Sequence, residues 1–298
     1  MLKCCWWLKV DELKVIISNK HQDKTIKELL KENNIGRGKI EAIRVSKSSF
    51  INGSYANLET KLHNGDVLSF NIDEEIDFIC EEKEIEVIYE DDYIIAVNKP
   101  INMIIHPDDK SKGGTLVNLV ASYYKKNNIK RKIRYIHRID KETTGIVLFA
   151  KDFLSEAILL KQINNHQMKK YYLALIEGHL KQNKGQIKAN IGEDRHINNK
   201  MCVSKNGKEA LTNYKEIKRF KDYSLVEFEL ITGRTHQIRV HSSYLKHPLL
   251  GDPLYGGNYQ YINRVALHSY KMEFTHPITN KEILIISYLS KDMNDLIK

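Results

Sequence analysis

Beyond residue 85 the sequence reads mainly as β-strands, and helices interrupt them at irregular intervals. Strand patterns lie in "EVIYEDDYIIAVNKP", "GIVLFAKD" and "KKYYLALIEG", and at about 186–192, 210–218, 223–230, 265–274 and 283–289. Helical patterns lie in "TLVNLVASYYKKNN", over about 153–164 and in "THQIRVHSSYL". Because strands and helices do not alternate regularly, the pattern predicts an α+β fold with a largely antiparallel sheet.

A smaller module is predicted ahead of this region. "TIKELLKENN" has a short helical pattern, and "FINGSYANLETKLHNGDVLSF" carries two Asn-Gly turn dipeptides between alternating segments. The acidic segment "IDEEIDFICEEKEIE" follows, and such a block is typical of a solvated linker or an exposed edge. We therefore predict a small module over residues 1–75, an acidic linker over 76–86 and a main domain over 87–298.

The charge balance favours a polyanionic partner. The chain has 47 Lys and Arg against 38 Asp and Glu, a net charge of +9, and basic side chains that neutralise phosphates release counterions. No segment approaches the roughly 20 apolar residues of a membrane helix, and charges at Lys9, Asp11 and Glu12 interrupt the apolar opening. We therefore expect a cytoplasmic protein without a membrane partner. The cysteines form no metal or disulfide pattern: Cys4, Cys5, Cys80 and Cys202.

Three clusters carry residue types suited to chemistry. "HRIDKETTG" places Asp140 between Arg138 and Lys141, ahead of a turn, and taken alone it is better explained as a surface ion pair. It is not a kinase catalytic loop, because the chain has no Gly-rich phosphate loop or D-F-G and the acid stands one residue too late. "KKYYLALIEG" places Tyr171 and Tyr172 on opposite faces of a strand, where packing alone would also explain them.

The third cluster is "GRTHQIRVH", which alone fits a basic helix start. Its two histidines lie outside any H-E-x-x-H arrangement, so we expect no metal site. Together the three clusters supply a carboxylate, an aromatic ring and a guanidinium. That set suits an enzyme acting on a nucleoside within RNA, because cations hold phosphates, a ring stacks on an unpaired base and a carboxylate acts at the sugar carbon. Without a nucleotide fingerprint or metal cluster, we expect no cofactor.

The sequence resembles a known family at five places in the same order. "HRIDKETTGIVLFAKD" is similar to the signature of the RluA/RluD-type pseudouridine synthases, H-R-L-D-x-x-T-S/T-G followed by an apolar strand. The supporting matches are "IIAVNKPINMIIHP", "KKYYLALIEG", "TGRTHQIRVH" and "HPLLGDPLYGG". The resemblance implies the pseudouridine synthase fold, a mostly antiparallel mixed sheet with a central RNA-binding cleft.

The resemblance also implies roles for individual residues. Asp140 would be the catalytic aspartate, and Tyr172 would stack on the target uracil and could handle the C5 proton. Arg239 would form the ion pair that orients Asp140, with Arg234 as the fallback. Arg138 would contact RNA near the flipped nucleotide. The other expected substrate contacts are His137, Arg234, His236 and Gln237.

The implied reaction breaks the N1 glycosidic bond of a uridine, turns the bound base and rejoins it through C5. Covalent attack on C1′ by the aspartate and a glycal route both remain open. The resemblance favours large-subunit ribosomal RNA, with tRNA as the alternative, and a monomeric enzyme. The N-terminal module resembles the second half of an S4 RNA-binding domain, but "IEAIRVSKSSFING" stands where the usual approach to V-N-G would be, so we describe it as degenerate. Two rival functions are a non-catalytic RNA-binding protein in ribosome assembly and a nucleosidase that releases uracil.

Overall fold

The computed structural model describes residues 11–107 and 113–298. Cys4, Cys5 and most of the apolar opening segment lie outside the described residues. Within the described ranges the chain forms a four-stranded sheet, a ten-stranded sheet and a separate two-stranded hairpin. No helix in these ranges is long and apolar enough to cross a lipid bilayer.

The four-stranded sheet and two helices form the N-terminal module. Its elements are β1 (Asp11–Ile16), α1 (Ile26–Glu32), α2 (Arg37–Ser46), β2 (Ser49–Ile51), β3 (Ser54–Tyr55) and β4 (Val67–Ile72), with strand order β1-β4-β2-β3. Thr25 and Glu28 cap α1 reciprocally, as a capping box. Helix α2 was not predicted, because Gly36 and Gly38 weaken the helical signal; it forms because Ile40 and Ile43 are buried in the module core.

The ten-stranded sheet forms the centre of the main domain. Its strands, with the separate hairpin β11–β12, are β5 (Glu86–Glu90), β6 (Ile94–Lys99), β7 (Arg134–Tyr135), β8 (Thr144–Ala150), β9 (Lys169–Glu177), β10 (Lys184–Lys188), β11 (Ile191–Glu193), β12 (Met201–Val203), β13 (Leu211–Arg219), β14 (Tyr223–Leu230), β15 (Leu267–Thr275) and β16 (Glu282–Ile286). The order is β10-β13-β14-β9-β15-β8-β6-β5, with β16 beside β15 and β7 beside β8. Only the pairing of β15 with β8 is parallel among the described strands. The predicted α+β class with a mostly antiparallel sheet is confirmed.

Among the described residues, four α-helices accompany the main sheet. They are α3 (Leu116–Lys126), α4 (Phe153–Asn164), α5 (Gln237–Tyr244) and α6 (Lys291–Asp295). Helix α3 is buried on more than one face, and Tyr124 is fully buried. The cause is the acidic segment, which packs Ile76, Phe78 and Cys80 against the same core. The segment predicted as a linker is therefore bound to the domain through its apolar residues.

The N-terminal module and the main domain share a hydrophobic core. Phe153 and Leu154 at the start of α4 are buried in the same cluster as Leu13, Leu29 and Phe70 of the module. The Phe70 and Phe153 rings meet edge to face, with centroids 5.6 Å apart. The division into residues 1–75, 76–86 and 87–298 stays a prediction, because one core spans its first boundary.

The main sheet brings the segment before β8 against β9. Ser269 of β15 pairs with Gly145 of β8 on one side and with Tyr172 of β9 on the other. Gly145 has φ +106, and a Cβ there would lie 2.2 Å from the Ser269 carbonyl oxygen. Only glycine fits such an approach. Residues 137–143, which precede this glycine, are therefore held close to Tyr172.

The Asp91 carboxylate joins the β5–β6 turn to the segment after β15. Asp91 accepts hydrogen bonds from the backbone amides of Tyr93 and Ile94, from the Tyr89 hydroxyl and from His276 Nε2 at 3.0 Å. Burial alone would raise the pKa of Asp91, but these hydrogen bonds outweigh it and lower the pKa to about 2. The ionised carboxylate therefore stabilises the native state.

We expect Asp91→Asn to lower the free energy of unfolding by about 1–3 kcal/mol near pH 7, because an amide cannot accept all of these hydrogen bonds. The contribution is fully present above the unfolded-state carboxyl pKa of about 3.9 and is lost as the pH falls towards about 2. Urea unfolding of parent and variant at a series of pH values measures the difference. The exposed neighbour Asp92→Asn is the control. A difference that grows on acidification would contradict this account.

Candidate active site

One cleft contains all eight residues that the sequence proposed for the site. It has a volume of about 1040 Å³ and lies between the 137–143 segment, β9 and the start of α5. The eight predicted residues among those that line it are His137, Arg138, Asp140, Tyr172, Arg234, His236, Gln237 and Arg239. Segments nearly a hundred residues apart therefore meet at one surface.

Asp140 lies in the turn before β8, and its backbone carbonyl accepts from the Thr143 amide at 3.1 Å. Its carboxylate accepts a hydrogen bond from the backbone amide of His236, the residue that precedes α5. His236 has φ +55, a left-handed conformation that few residues other than glycine adopt. The strained backbone thus aims an amide at the carboxylate.

The surroundings of Asp140 have opposing effects on the pKa of its carboxyl. Burial raises the pKa of its carboxyl above the ordinary value, while the His236 ring when protonated, the Arg239 charge and the His236 amide oppose that rise. Arg138 and Lys141, its neighbours in sequence, are both exposed. The charges that act on the carboxylate therefore come mainly from α5, and not from the flanking residues that the sequence suggested.

Arg239 is held by a different carboxylate from the one expected. Its Nε and Nη2 donate to Asp252 Oδ2 and Oδ1 at 2.7 and 2.8 Å, and Nη1 lies 3.5 Å from Glu142 Oε2. Arg239 and Asp252 are almost fully buried. Among the described residues, no ion pair within 4.0 Å joins Arg239 to Asp140. The expected direct pair is replaced because Asp252 occupies the fork of the guanidinium, and Arg239 acts on Asp140 through its charge.

Tyr172 and Tyr171 face opposite sides of β9, as strand alternation predicts. Tyr172 is 5% exposed, lines the cleft and packs with Phe228 and Leu267. Burial and the charge of Asp140 both raise its pKa, so the phenol keeps its proton. Tyr171 lies on the other face, where the Lys271 ammonium sits 3.9 Å from its ring centroid.

Two of the expected substrate contacts make hydrogen bonds within the protein. Gln237 accepts at Oε1 from the Thr232 hydroxyl and the Arg234 amide, and donates from Nε2 to the Leu211 carbonyl and the Thr212 hydroxyl. An amide side chain offers two donors and two acceptor positions, so none remains for a substrate. Gln237 instead fixes the start of α5 against β13.

His137 is the second of these residues. It is 8% exposed, and its Nε2 accepts from the Leu148 amide at 3.2 Å. Burial, with the charge of Lys170, lowers the pKa of His137 to about 3, so the ring is neutral. Through Nε2 the ring fixes the segment that carries Asp140, while its buried Nδ1 has no hydrogen-bond partner among the described residues.

The exposed guanidinium groups of Arg138 and Arg234 lie at the rim of the cleft. Arg234 is anchored through Nε to the Glu209 carbonyl at 2.9 Å, which leaves its terminal nitrogens available. Lys170 lines the cleft beside Tyr172, and burial lowers its pKa. These cations give the cleft a positive rim suited to phosphate groups.

Several residues of the site were missed from the sequence. Asp252 and Tyr255 belong to the "GDPLYGG" segment, whose resemblance to the family could have marked them. Lys99 is fully buried, and its Nζ donates to the carbonyls of Pro100, Met103 and Lys141 at 2.9–3.0 Å. Burial lowers its pKa to about 8. Lys99 thereby holds the backbone immediately after Asp140 in place.

Comparison with known protein families identifies the class of RNA-modifying enzyme that has this fold and cleft. The family model described as RNA pseudouridylate synthase matches residues 93–244. The model described as RluD ribosomal pseudouridine synthase N-terminal domain matches residues 13–68. The chain belongs to the RNA pseudouridylate synthase family, and the resemblance stated from the sequence is confirmed.

Individual relatives agree with this assignment. The chain is 42% identical over 220 residues to the RNA pseudouridine synthase YhcT of Bacillus subtilis, covering 73% of each chain. It is 30% identical over 263 residues to ribosomal large subunit pseudouridine synthase D of Xylella fastidiosa, covering 83% of this chain and 79% of the relative. Human RNA Pseudouridylate Synthase Domain Containing 1 has the same fold, with a TM-score of 0.59 at 24% identity over 69% of this chain and 84% of the other. The protein is a pseudouridine synthase, an isomerase that acts on RNA.

We expect Asp252→Asn to lower the free energy of unfolding by about 3–5 kcal/mol, because it leaves the buried Arg239 charge without its partner. Activity should fall as well, since the displaced guanidinium no longer acts on Asp140. Urea unfolding and turnover measure the two effects. Glu142→Gln is the matched control: its side chain is 39% exposed and 3.5 Å from Arg239, so its loss should cost no more than about 1 kcal/mol. Equal stability of the two variants would show that the Asp252 pair does not hold Arg239.

Proposed function

We propose that this enzyme converts specific uridines of large-subunit ribosomal RNA to pseudouridine, with Asp140 as the catalytic carboxylate. The observation that carries the proposal is the meeting of Asp140 and Tyr172 in one cleft, beside a buried guanidinium. The choice of RNA is supported by the relatives named for the ribosomal large subunit and by the RluD-type N-terminal match. Transfer RNA remains the alternative substrate.

Asp140 must be ionised to act at the sugar. Attack on C1′ and removal of the 2′ proton both require a carboxylate, and burial disfavours that form. The His236 amide and the Arg239 charge offset this cost without blocking the carboxylate, since the guanidinium fork is turned to Asp252. Activity should therefore fall on the acid side at a pH above the ordinary aspartate pKa.

Tyr172 is assigned the contact with the target uracil. Its ring opens onto the cleft beside Asp140, and stacking on an aromatic face is the usual way to hold a base taken out of its helix. Its pKa is raised by burial and by Asp140, so the hydroxyl can accept the C5 proton only if it passes its own proton on. Arg138, Arg234 and Lys170 would hold the flanking phosphates.

The proposed arrangement needs a single chain. Every proposed catalytic and binding residue lies on one copy, which is the basis for proposing a monomer. We propose that this monomer acts on RNA in the cytoplasm. Residues 87–298 would carry catalysis, and the module within residues 1–75 would contribute further RNA contacts. Mapping pseudouridines in ribosomal RNA and tRNA from cells with and without the protein tests the substrate.

We expect Asp140→Asn to reduce pseudouridine formation by at least ~1000-fold while RNA affinity changes by no more than about threefold. Because burial disfavours the ionised carboxyl, the melting temperature should equal or exceed that of the parent. The readouts are pseudouridine in ribosomal RNA transcripts, free uracil and thermal unfolding, with Asp92→Asn as the control. Turnover within tenfold of the parent would sink the catalytic assignment, and release of free uracil by the parent would identify a nucleosidase instead.

Substitution of the two adjacent tyrosines should separate their roles. Tyr172→Phe keeps the ring, so base stacking, worth ~1–3 kcal/mol, should be retained while turnover falls greatly with loss of the hydroxyl. Tyr171→Phe is the matched control and should keep both turnover and affinity, since its ring lies on the opposite face. Single-turnover rates and RNA binding measure both variants. Inactive Tyr171→Phe with active Tyr172→Phe would reverse the assignment.

A further inference from the structure

The hydroxyl of Tyr255 joins the β11–β12 hairpin to His236, the residue that precedes α5. Tyr255 ends a short 3-10 helix, Pro253–Tyr255, and is 6% exposed. Its Oη accepts from the Met201 amide, at the start of β12, at 2.9 Å. The same oxygen lies 2.9 Å from His236 Nδ1. One atom therefore links the β11–β12 hairpin to the residue whose amide binds Asp140.

The position of the protons follows from these partners. The Met201 amide can only donate, so the phenol oxygen accepts there. Among the described residues, the only acceptor within reach of the phenol proton is His236 Nδ1, so we assign the proton to this hydrogen bond. Burial raises the pKa of Tyr255 to about 12, so that proton is present at neutral pH. His236 Nδ1 is then an acceptor, and the neutral ring carries its proton on Nε2.

The ring of Tyr255 makes contacts that reinforce this link. The Arg239 guanidinium lies over its face at 5.0 Å, and the His236 ring meets it edge-on with centroids 5.7 Å apart. Lys200, next to Met201, lies 5.7 Å from the ring centroid. Asn199, the preceding residue, lines the cleft. The hairpin loop therefore reaches the substrate space and the Tyr255 ring together.

We propose that Tyr255 is a positioning residue for the isomerisation: its hydroxyl fixes His236 as the Nε2–H tautomer and ties the hairpin to the amide that binds Asp140. The strained left-handed backbone of His236 needs such support, because a conformation of this kind persists only where surrounding contacts determine it. RNA that contacts the hairpin would thereby stabilise the catalytic arrangement. The catalytic part of this inference rests on the proposed role of Asp140, whereas the tautomer does not.

The first test is nitrogen NMR of the His236 ring in the full-length protein. The parent should show a neutral ring protonated on Nε2. In Tyr255→Phe, Nδ1 loses its donor and becomes free to take a proton, so the pKa of His236 should rise and both tautomers should appear. The charged groups that act on this ring are the same in both proteins: Asp140, Arg239, Glu142 and Asp252. Tyr259→Phe, an exposed tyrosine four residues away, is the control and should match the parent.

The second test compares turnover with RNA binding. Tyr255→Phe should lower kcat at least ~10-fold while KM and RNA affinity stay within about threefold, since the hydroxyl acts on the catalytic carboxylate and not on phosphates. Hydrogen exchange at the Met201 amide should accelerate on the order of tenfold, because its acceptor is lost. A general loss of structure would instead raise exchange throughout the sheet and weaken RNA binding.

Two results would overturn the proposal: an Nδ1–H tautomer in the parent, or parental kcat in Tyr255→Phe. The His236 tautomer of the parent is measured without any variant, so this measurement decides the question even if Tyr255→Phe folds poorly. Failure of the proposed function gives a different result. In that case Asp140→Asn would stay active while the His236 tautomer still responded to Tyr255→Phe.

Discussion

The close approach of β8 to β15 at Gly145 determines where the rest of the site can lie. With no Cβ, Gly145 lets the parallel pair form against the Ser269 carbonyl, and Ser269 pairs in turn with Tyr172. This single parallel contact within a mostly antiparallel sheet sets the segment before β8 beside β9. Lys99 then holds the chain just after Asp140 through the Lys141 carbonyl. Backbone contacts, and not the reactive side chains themselves, therefore set the distance between carboxylate and phenol.

Asp140 and Arg239 are each stabilised in the ionised form by a neighbouring group of opposite charge. Burial disfavours ionised Asp140, and the charge of Arg239 opposes this effect. Buried Arg239 would itself be costly without Asp252, which binds it through two hydrogen bonds. Because the strong pair is made with Asp252, Asp140 keeps an unblocked carboxylate. A direct pair of Arg239 with Asp140 would lower the pKa of the aspartate further but would leave its carboxylate less able to reach a sugar.

The sequence predicts the parts of this structure that depend on local patterns. The α4 helix, the strands around Asp91 and the opposite orientations of Tyr171 and Tyr172 follow from periodicity and turn residues, whereas the resemblance to the family selects Tyr172 as the one that faces the cleft. Helix α2 escapes prediction because its stability comes from burial of Ile40 and Ile43 against residues distant in sequence. The partner of Arg239 is missed because it too is a contact between residues distant in sequence. The left-handed backbone of His236 cannot be read from its residue type. Gln237 has a polar side chain typical of binding sites, and only its contacts show that every donor and acceptor is used within the protein.

Helix α4 relates the N-terminal module to the cleft. Its first residues, Phe153 and Leu154, are buried in the module core, while Ile163 and Asn164 at its other end line the cleft. A helix of 12 residues is about 18 Å long and does not bend easily. Its two ends thus carry the module contact and part of the cleft wall on one rigid element. Any RNA bound to the module would meet the cleft at a distance that α4 sets, so a change in the Phe70 and Phe153 packing would act on substrate placement without touching the catalytic residues.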